Sequence, residues 1–320
     1  MAVAAGIDEA GYGPLMGPYV VSSTAFRVPD ERIDEDLWAL FNPFVCRKAS
    51  RKDSRLCVGD SKAVFKRAAG LSSLENHLLP FVALLENVPL TLGKLVSALS
   101  ARDLGDLSDY PWYRGQNPSL PREATTEQLR DRAATLADGL ADAESAFCSA
   151  RFEWLDVATF NHRVAARRNK ASVAAGCVGL LMLDLWERFG RELLVLSVDK
   201  QGGRNRYGDF LSSLFPFHHI KTSAEGADHS RYVVAEGDRQ MIVTFEKQAD
   251  QRQLPAALAS MLSKYVREVF LGLLNDFWAK RVTHLQPTAG YVTDGRRFLD
   301  DIDAIRHAEA IPLGLLARCR

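Results

Sequence analysis

Asp8 and Glu9 stand side by side at the end of an apolar run, and Gly11, Gly13 and Pro14 follow within five residues. The run itself, Ala2 to Ile7, is small and apolar, which predicts a buried strand. Its glycine-rich exit forces a turn and lets the backbone approach a ligand closely. Two carboxylates at such a strand end call for water or for a cation, so two readings stand open: an acidic exit into solvent, and the edge of a metal site. Asp199 closes a second apolar run, Leu193 to Val198, and Asp250 stands a few residues before a long apolar-periodic stretch. Hydrolysis of a phosphodiester by paired divalent ions needs carboxylates from several elements, because two cations about 4 Å apart must be neutralised with faces left for phosphate and water. Asp8, Glu9, Asp199 and Asp250 supply such a set. Adjacent residues on a strand face opposite sides, so Asp8 and Glu9 share a site only at a bend or at the sheet rim. Each acid also has a structural alternative: Asp199 as a turn cap, Asp250 as an acid complementing a helix dipole.

The elements that must position these groups follow from periodicity. Pro18 to Val28 is rich in β-formers and predicts a second strand, antiparallel to the first across a short connection. Gly59-Asp60-Ser61-Lys62 reads as a polar turn opening a helix through Leu78, with Asp60 or Ser61 as its cap. Ser100 to Glu123 is irregular, and Thr126 to Ser149 predicts an amphipathic helix. Arg151 to Phe160 alternates as a strand, and Arg167 to Phe189 has a helical period. Leu193 to Val198 has the signature of a central strand covered on both faces, with Asp199 at its carboxyl end. Tyr232 to Val234 and Met241 to Phe245 flank a turn and predict a hairpin. A long helix spans about Pro255 to Arg281, and a short one Arg296 to His307.

Composition bounds the class. The 320-residue chain is 47% hydrophobic and 25% charged, as expected of a globular protein, with 40 basic and 40 acidic side chains in balance. Any nucleic-acid contact must therefore come from a local basic face. The five cysteines, Cys46, Cys57, Cys148, Cys177 and Cys319, form no CxxC pair, which argues against zinc and against a secreted disulfide framework. No basic segment precedes the first apolar run, and no window approaches the ~20 apolar residues of a membrane span. A monomeric cytoplasmic protein is the expectation.

Taken in order, GIDEAGYGPLMGP, GDSK at 59–62, LSVD at 196–199, EKQAD followed by ASMLSKYVRE at 246–268, and GYVT at 290–293 resemble the successive motifs of type 2 ribonucleases H, specifically ribonuclease HII. The resemblance implies an α/β fold, a ribonuclease H-like mixed β-sheet flanked by helices, with a helical C-terminal region. It implies that Asp8, Glu9, Asp199 and Asp250 bind Mg²⁺ or Mn²⁺, two ions during catalysis. The implied substrate is an RNA/DNA hybrid or duplex DNA with embedded ribonucleotides, cut to 5′-phosphate and 3′-hydroxyl ends. The Gly11-Tyr12-Gly13 turn matches the family loop that reads the ribose 2′-hydroxyl, the group separating RNA from DNA. Tyr291 resembles the tyrosine that packs on the next, deoxy, sugar, and Ser61 and Lys62 lie in the segment near the scissile phosphate. Lys264 and Arg267 share a helical face and serve structure or backbone binding.

The chain departs from ribonuclease HII at Tyr12, where the family usually has arginine, so the loop loses a phosphate-anchoring cation. It is also longer, a single catalytic domain over 1–320 with insertions expected near 29–55, 100–150 and 200–240 and a C-terminal substrate-binding part about 282–320. Arg204, Arg206, His218, His219 and Lys221 in the last insertion have two readings, backbone binding and a solvated loop. Rival functions are a noncatalytic hybrid-binding paralogue and a related metal-dependent nuclease acting on another structured nucleic acid.

Overall fold

In the computed structural model, residues 1–48, 53–65, 70–85, 87–200 and 203–319 are described, without the side chains of Lys62, Ala63 and Asp106. Strands β1 (Ala2–Ala10) and β2 (Tyr19–Val28) come first. Helix α1 (Leu37–Leu40), the short strands β3 (Val45–Cys46) and β4 (Leu56–Cys57), and helices α2 (Ser61–Val64), α3 (Ser72–Leu85) and α4 (Leu92–Leu99) follow. Next are α5 (Thr126–Asp142), β5 (Ala146–Leu155), α6 (Val157–Arg167), α7 (Lys170–Phe189), β6 (Leu193–Asp199) and α8 (Gly208–Leu214). The meander β7 (His219–Glu225), β8 (His229–Glu236) and β9 (Arg239–Glu246) leads into α9 (Leu254–Ala279) and α10 (Val292–Ala308).

The main sheet has seven strands in the order β5-β2-β1-β6-β9-β8-β7, a mixed sheet flanked by helices. β1 is antiparallel to β2 but parallel to β6, and β6 is parallel to β9. The two-residue periodicity of the strands sorts their side chains into two cores. Val3, Ala5 and Ile7 of β1 join Leu194, Leu196 and Val198 of β6 under α7, which contributes Val173, Leu181 and Leu185. Ala4 and the even-numbered Val20, Phe26 and Val28 of β2 pack beneath α9 with Leu258, Leu262 and Val266. Each buried Val, Leu, Ile or Phe among these contributes about 1.5–3 kcal/mol, enough to hold polar groups elsewhere in unfavourable places. α9 is buried along most of its length because it is apolar on nearly every side.

β1 and α9 touch backbone to backbone at Gly6, where an added Cβ would fall 2.1 Å from the amide nitrogen of Ala256. Thr24 of β2 donates to the Pro255 carbonyl (2.7 Å), and Ser263 Oγ lies 3.0 Å from the Asp8 carbonyl and 2.8 Å from Ser22 Oγ. The start of α9 is thereby fixed over the carboxyl ends of the central strands.

Several boundaries differ from the sequence expectations. The helix expected over Thr126 to Ser149 ends at Asp142, because Glu144 takes a left-handed turn (φ 51) and Ala146 onward pairs with β2. Strand β5 therefore replaces the strand expected over Arg151 to Phe160, and Asp156 ends it by capping α6, accepting from Thr159 N at 2.9 Å. The helix expected from Arg167 is divided: Arg168 is left-handed (φ 49) and Asn169 caps α7. The segment opened at Ser61 is α2, which ends at Val64; α3 starts only at Ser72, and residues 66–69 lie outside the described residues, as do 49–52 and 201–202 of the expected insertions. α10 begins at Val292, one residue after Tyr291. Among the described residues no helix is long and apolar enough to cross a membrane.

Gly6→Ala is expected to cost about 3 kcal/mol by overpacking, read as a lower urea midpoint at unchanged m-value. Gly13, whose Cβ would meet open space, provides the control: Gly13→Ala stays within about 0.5 kcal/mol. Equal midpoints for the two variants would contradict the seating of α9 on β1.

Candidate active site

The pairing register brings two acids to one level of the sheet. Ile7 is aligned with Val198 in the parallel β1/β6 pair, so Asp8 and Asp199 come next to each other one residue further on. Parallel neighbours in register share a face, here the face beneath α9. Asp199 also aligns with Glu246 on β9, a further carboxylate that is 7% exposed. After β9 the chain turns sharply at Gln248 (φ 57), and the 3-10 turn Ala249–Gln251 carries Asp250 back toward the strand ends. Ala249 N donates to Asp199 Oδ1 at 2.9 Å, locking that turn to β6. Glu9 stays on the opposite face of β1, and the sheet rim makes that compatible with one site.

Asp8, Glu9, Asp199 and Asp250 line one open cavity of about 340 Å³, together with Gly11, Tyr12, Gly13, Ser61, Lys264 and Tyr291. Of the residues singled out from sequence, only the Lys62 side chain lies outside what is described. Asp60, Gln248, Gln251, Ser260 and Arg267 complete the wall. Ser260 and Arg267 lie one turn before and after Lys264, a helical spacing that carries them to the same face and is visible in the sequence. The partnership of Glu246 with Asp199 was not visible there, since it depends on strand register.

Burial raises the Asp8 carboxyl well above its ordinary value, the charges of Glu9, Asp199 and Asp250 push it further, and a hydrogen bond from Ser260 opposes them. Ser260 Oγ lies 3.1 Å from Ser61 Oγ, so α2 and α9 meet at this acid. Asp199 is pushed up to about 6 by burial and by Asp250, against the stabilising bond from Ala249 N. Burial likewise raises Glu246, against hydrogen bonds from Ser197 and Gln253. The two cations of the wall both pair with Glu268: Lys264 Nζ lies 2.9 Å and Arg267 Nη1 3.1 Å from its carboxylate.

Arg267 is 1% exposed and acts as a bolt. Its Nη2 donates to the Met16 and Ala289 carbonyls, both at 3.1 Å, while Leu15 N donates to Gly290 O at 2.7 Å. The glycine loop and the loop before Tyr291 are thus tied to one another and to α9. Gly11 needs to be glycine: its φ is +93, and a Cβ would lie 2.8 Å from Pro18 O and 3.0 Å from the Arg267 side chain. From the other side the C-terminal tail reaches under the same loop, with Arg318 N donating to Leu15 O at 2.8 Å. Tyr291 is 49% exposed at the mouth of the cavity, free to offer its ring to a ligand face.

No His or Cys lines the cavity. Its donor set is all oxygen and net negative, which suits a hard divalent cation such as Mg²⁺ or Mn²⁺ and not zinc. Among the described residues no three His, Cys, Asp or Glu side chains stand in ligating geometry around one point. Asp8, Glu9, Asp199 and Asp250 share the lining of this cavity without forming a closed ligand set.

No protein-family model and no curated protein matches the chain. Among solved structures it is similar to RNase HII of Archaeoglobus fulgidus in complex with PCNA, at 16% identity over 99% of this chain and 94% of that one, TM-score 0.45. It is similar to ribonuclease H2 of Pyrococcus horikoshii OT3 (12%, 98% and 92%, TM-score 0.41) and to Bst-RNase HIII in complex with Mn²⁺ (12%, 99% and 66%, TM-score 0.43).

Carboxyls raised in the folded state hold protons that the unfolded chain has released, so metal-free stability falls as pH rises through the window from about 4 to 6. Moving Asp199 from 3.8 to about 6 corresponds to about 3 kcal/mol. Asp199→Asn is therefore expected to raise the Tm in chelator at pH 7.5 by several degrees, a gain that fades toward pH 4. Added Mg²⁺ or Mn²⁺ should stabilise the wild type selectively. Thermal scans showing no dependence of the difference on pH or metal would refute the site.

Proposed function

We propose that the chain is a metal-dependent endoribonuclease that hydrolyses the RNA strand of RNA/DNA hybrids, or ribonucleotides embedded in duplex DNA, leaving 5′-phosphate and 3′-hydroxyl ends. The observation that carries this reading is the convergence of Asp8, Glu9, Asp199 and Asp250 on one cavity whose adjoining wall is the Gly11-Tyr12-Gly13 turn. Acids alone would fit many hydrolases; acids beside a backbone turn that admits a sugar edge fit a nuclease that distinguishes ribose. The ordered motifs of the sequence point the same way.

Asp8, Glu9, Asp199 and Asp250 would hold the divalent ions. When bound, these activate water and neutralise charge developing on the leaving oxygen. In the overall hydrolysis a water oxygen would bond to phosphorus as the P–O3′ bond breaks, one proton of that water passing to solvent and the departing 3′-oxygen taking one from solvent to become the hydroxyl. The chain's own part is position. Ser260 orients the Asp8 carboxylate, and Ala249 N holds Asp199 toward the cavity. Gly11 and Gly13 bring main chain close to the 2′-hydroxyl, a donor and acceptor that only RNA carries. Tyr291 offers a ring to the following deoxyribose, and Lys264, steadied by Glu268, provides positive charge at the wall. A 2′-hydroxyl test made by backbone tolerates any base, as a ribonucleotide-directed enzyme requires.

The test is cleavage of a labelled DNA duplex carrying one ribonucleotide, beside an RNA/DNA hybrid and an all-DNA duplex, with Mg²⁺ or Mn²⁺. Cutting is expected only where ribose is present, falling about 1,000-fold or more in Asp199→Asn. Binding without cutting by the folded wild type would favour a noncatalytic paralogue, and cutting of all-DNA a different nuclease.

A further inference from the structure

Beside the acid cavity lies a second feature, a basic groove. Lys170 opens α7 with its Nζ 4.6 Å from the centre of the Tyr12 ring. Across from the first turns of α7, the segment ahead of α8 brings Arg204 and Arg206 to the rim of a groove of about 500 Å³ shared with Arg167 and Ser172. A small crevice lined by Asp199, Arg204, Tyr207 and Phe210 lies between this groove and the acids. The charge of Arg204 is felt at the Tyr12 hydroxyl, where it opposes that of Glu9.

Such a concentration stands out in a chain whose 40 basic and 40 acidic side chains cancel. Acidic groups also stand here: Glu225 lies 3.6 Å from Arg206, whose side chain is 88% exposed, and Asp209 sits on the groove wall. Arg167 folds over the first turn of α7, its Nη1 3.3 Å from Ser172 O. The N-terminus of this 20-residue helix adds partial positive charge at the same place. Guanidinium groups at a groove rim match phosphate oxygens in geometry and charge, and carry no base-specific information.

We propose that this groove guides a phosphodiester backbone into the acid cavity, and that Lys170 and Arg204 supply positive charge for it from α7 and the segment before α8. The inference rests on the nucleic-acid reading above. It assigns to Arg167, Arg204 and Lys170 a role in holding the flanking backbone and none in the chemical step.

The experiment is fluorescence anisotropy of the single-ribonucleotide duplex and the all-DNA duplex across a salt series, in the Asp199→Asn background so that nothing is cut. Arg167→Gln/Arg204→Gln is expected to weaken binding of both duplexes roughly tenfold or more and to make the log K against log salt slope shallower by about 2. Lys170→Gln should remove about one more, while Arg130→Gln, an exposed arginine on α5, changes neither quantity. Unchanged affinity and slope in folded groove variants would overturn this proposal alone. Weaker binding at an unchanged slope would also overturn it, since that pattern is not loss of phosphate contacts. If the unsubstituted background binds neither duplex and the wild type cuts none, this proposal falls together with the nuclease reading.

Discussion

The structure is organised around carboxylates that resist being charged together. Asp8 is buried beneath α9, and its neighbours Glu9, Asp199 and Asp250 all oppose its ionisation. Burial and like charge here act in the same direction, and either alone would favour a protonated acid. The sequence nevertheless keeps four acids at this rim, each sent by a different stretch of chain apart from the Asp8-Glu9 pair. Such an arrangement survives because the two cores on either face of the sheet hold β1 and β6 in register whatever the acids do. Strain concentrated at one place and offset by packing elsewhere is the usual signature of a functional site.

The wall opposite the acids is one face of a core helix. Ser260, Lys264 and Arg267 recur at the spacing that aligns side chains along a helix, while the rest of α9 is buried in the larger core. A helix so placed cannot rotate or slide without losing the Gly6 contact, so the polar face is aimed by packing and not by loops. Arg267 extends that rigidity outward, because the same guanidinium is bonded to the glycine loop and to the loop that carries Tyr291. The two ligand-facing loops thereby inherit their positions from the core.

What was legible in the sequence, and what was not, divides along the range of the interactions. β1, β2, β6, β9 and α9 were readable because their patterns are local: unbroken apolar runs for strands covered on both faces, and a long helical period. Asp8 and Asp199 stood out for the same reason, since a carboxylate closing an apolar run is a local event, whereas Asp250 was singled out by its place before the long helix. The end of α5 was missed because alanine-rich sequence favours helix, and only pairing with β2 makes Ala146 onward extended. The break at Arg168 was missed because a left-handed arginine carries no glycine signal. The C-terminal tail under the glycine loop, the Ser260 bond to Asp8 and the Glu246 alignment join residues far apart in sequence or depend on register, which periodicity does not encode.

Tyr12 shows how one side chain of the glycine loop is held between charges of opposite sign. A cation carried on this turn would lie within the field of Glu9, whose charge already acts on the Tyr12 hydroxyl. The tyrosine instead presents a ring to the ammonium of Lys170, at 4.6 Å, while Glu9 and Arg204 act on its hydroxyl from opposite signs of charge. Positive charge is thus kept on α7 and on the segment before α8, with Tyr12 between those elements and the acid rim in the order of contacts. Basic side chains set on elements apart from the acid rim add positive charge near the cavity without placing it on the glycine loop itself.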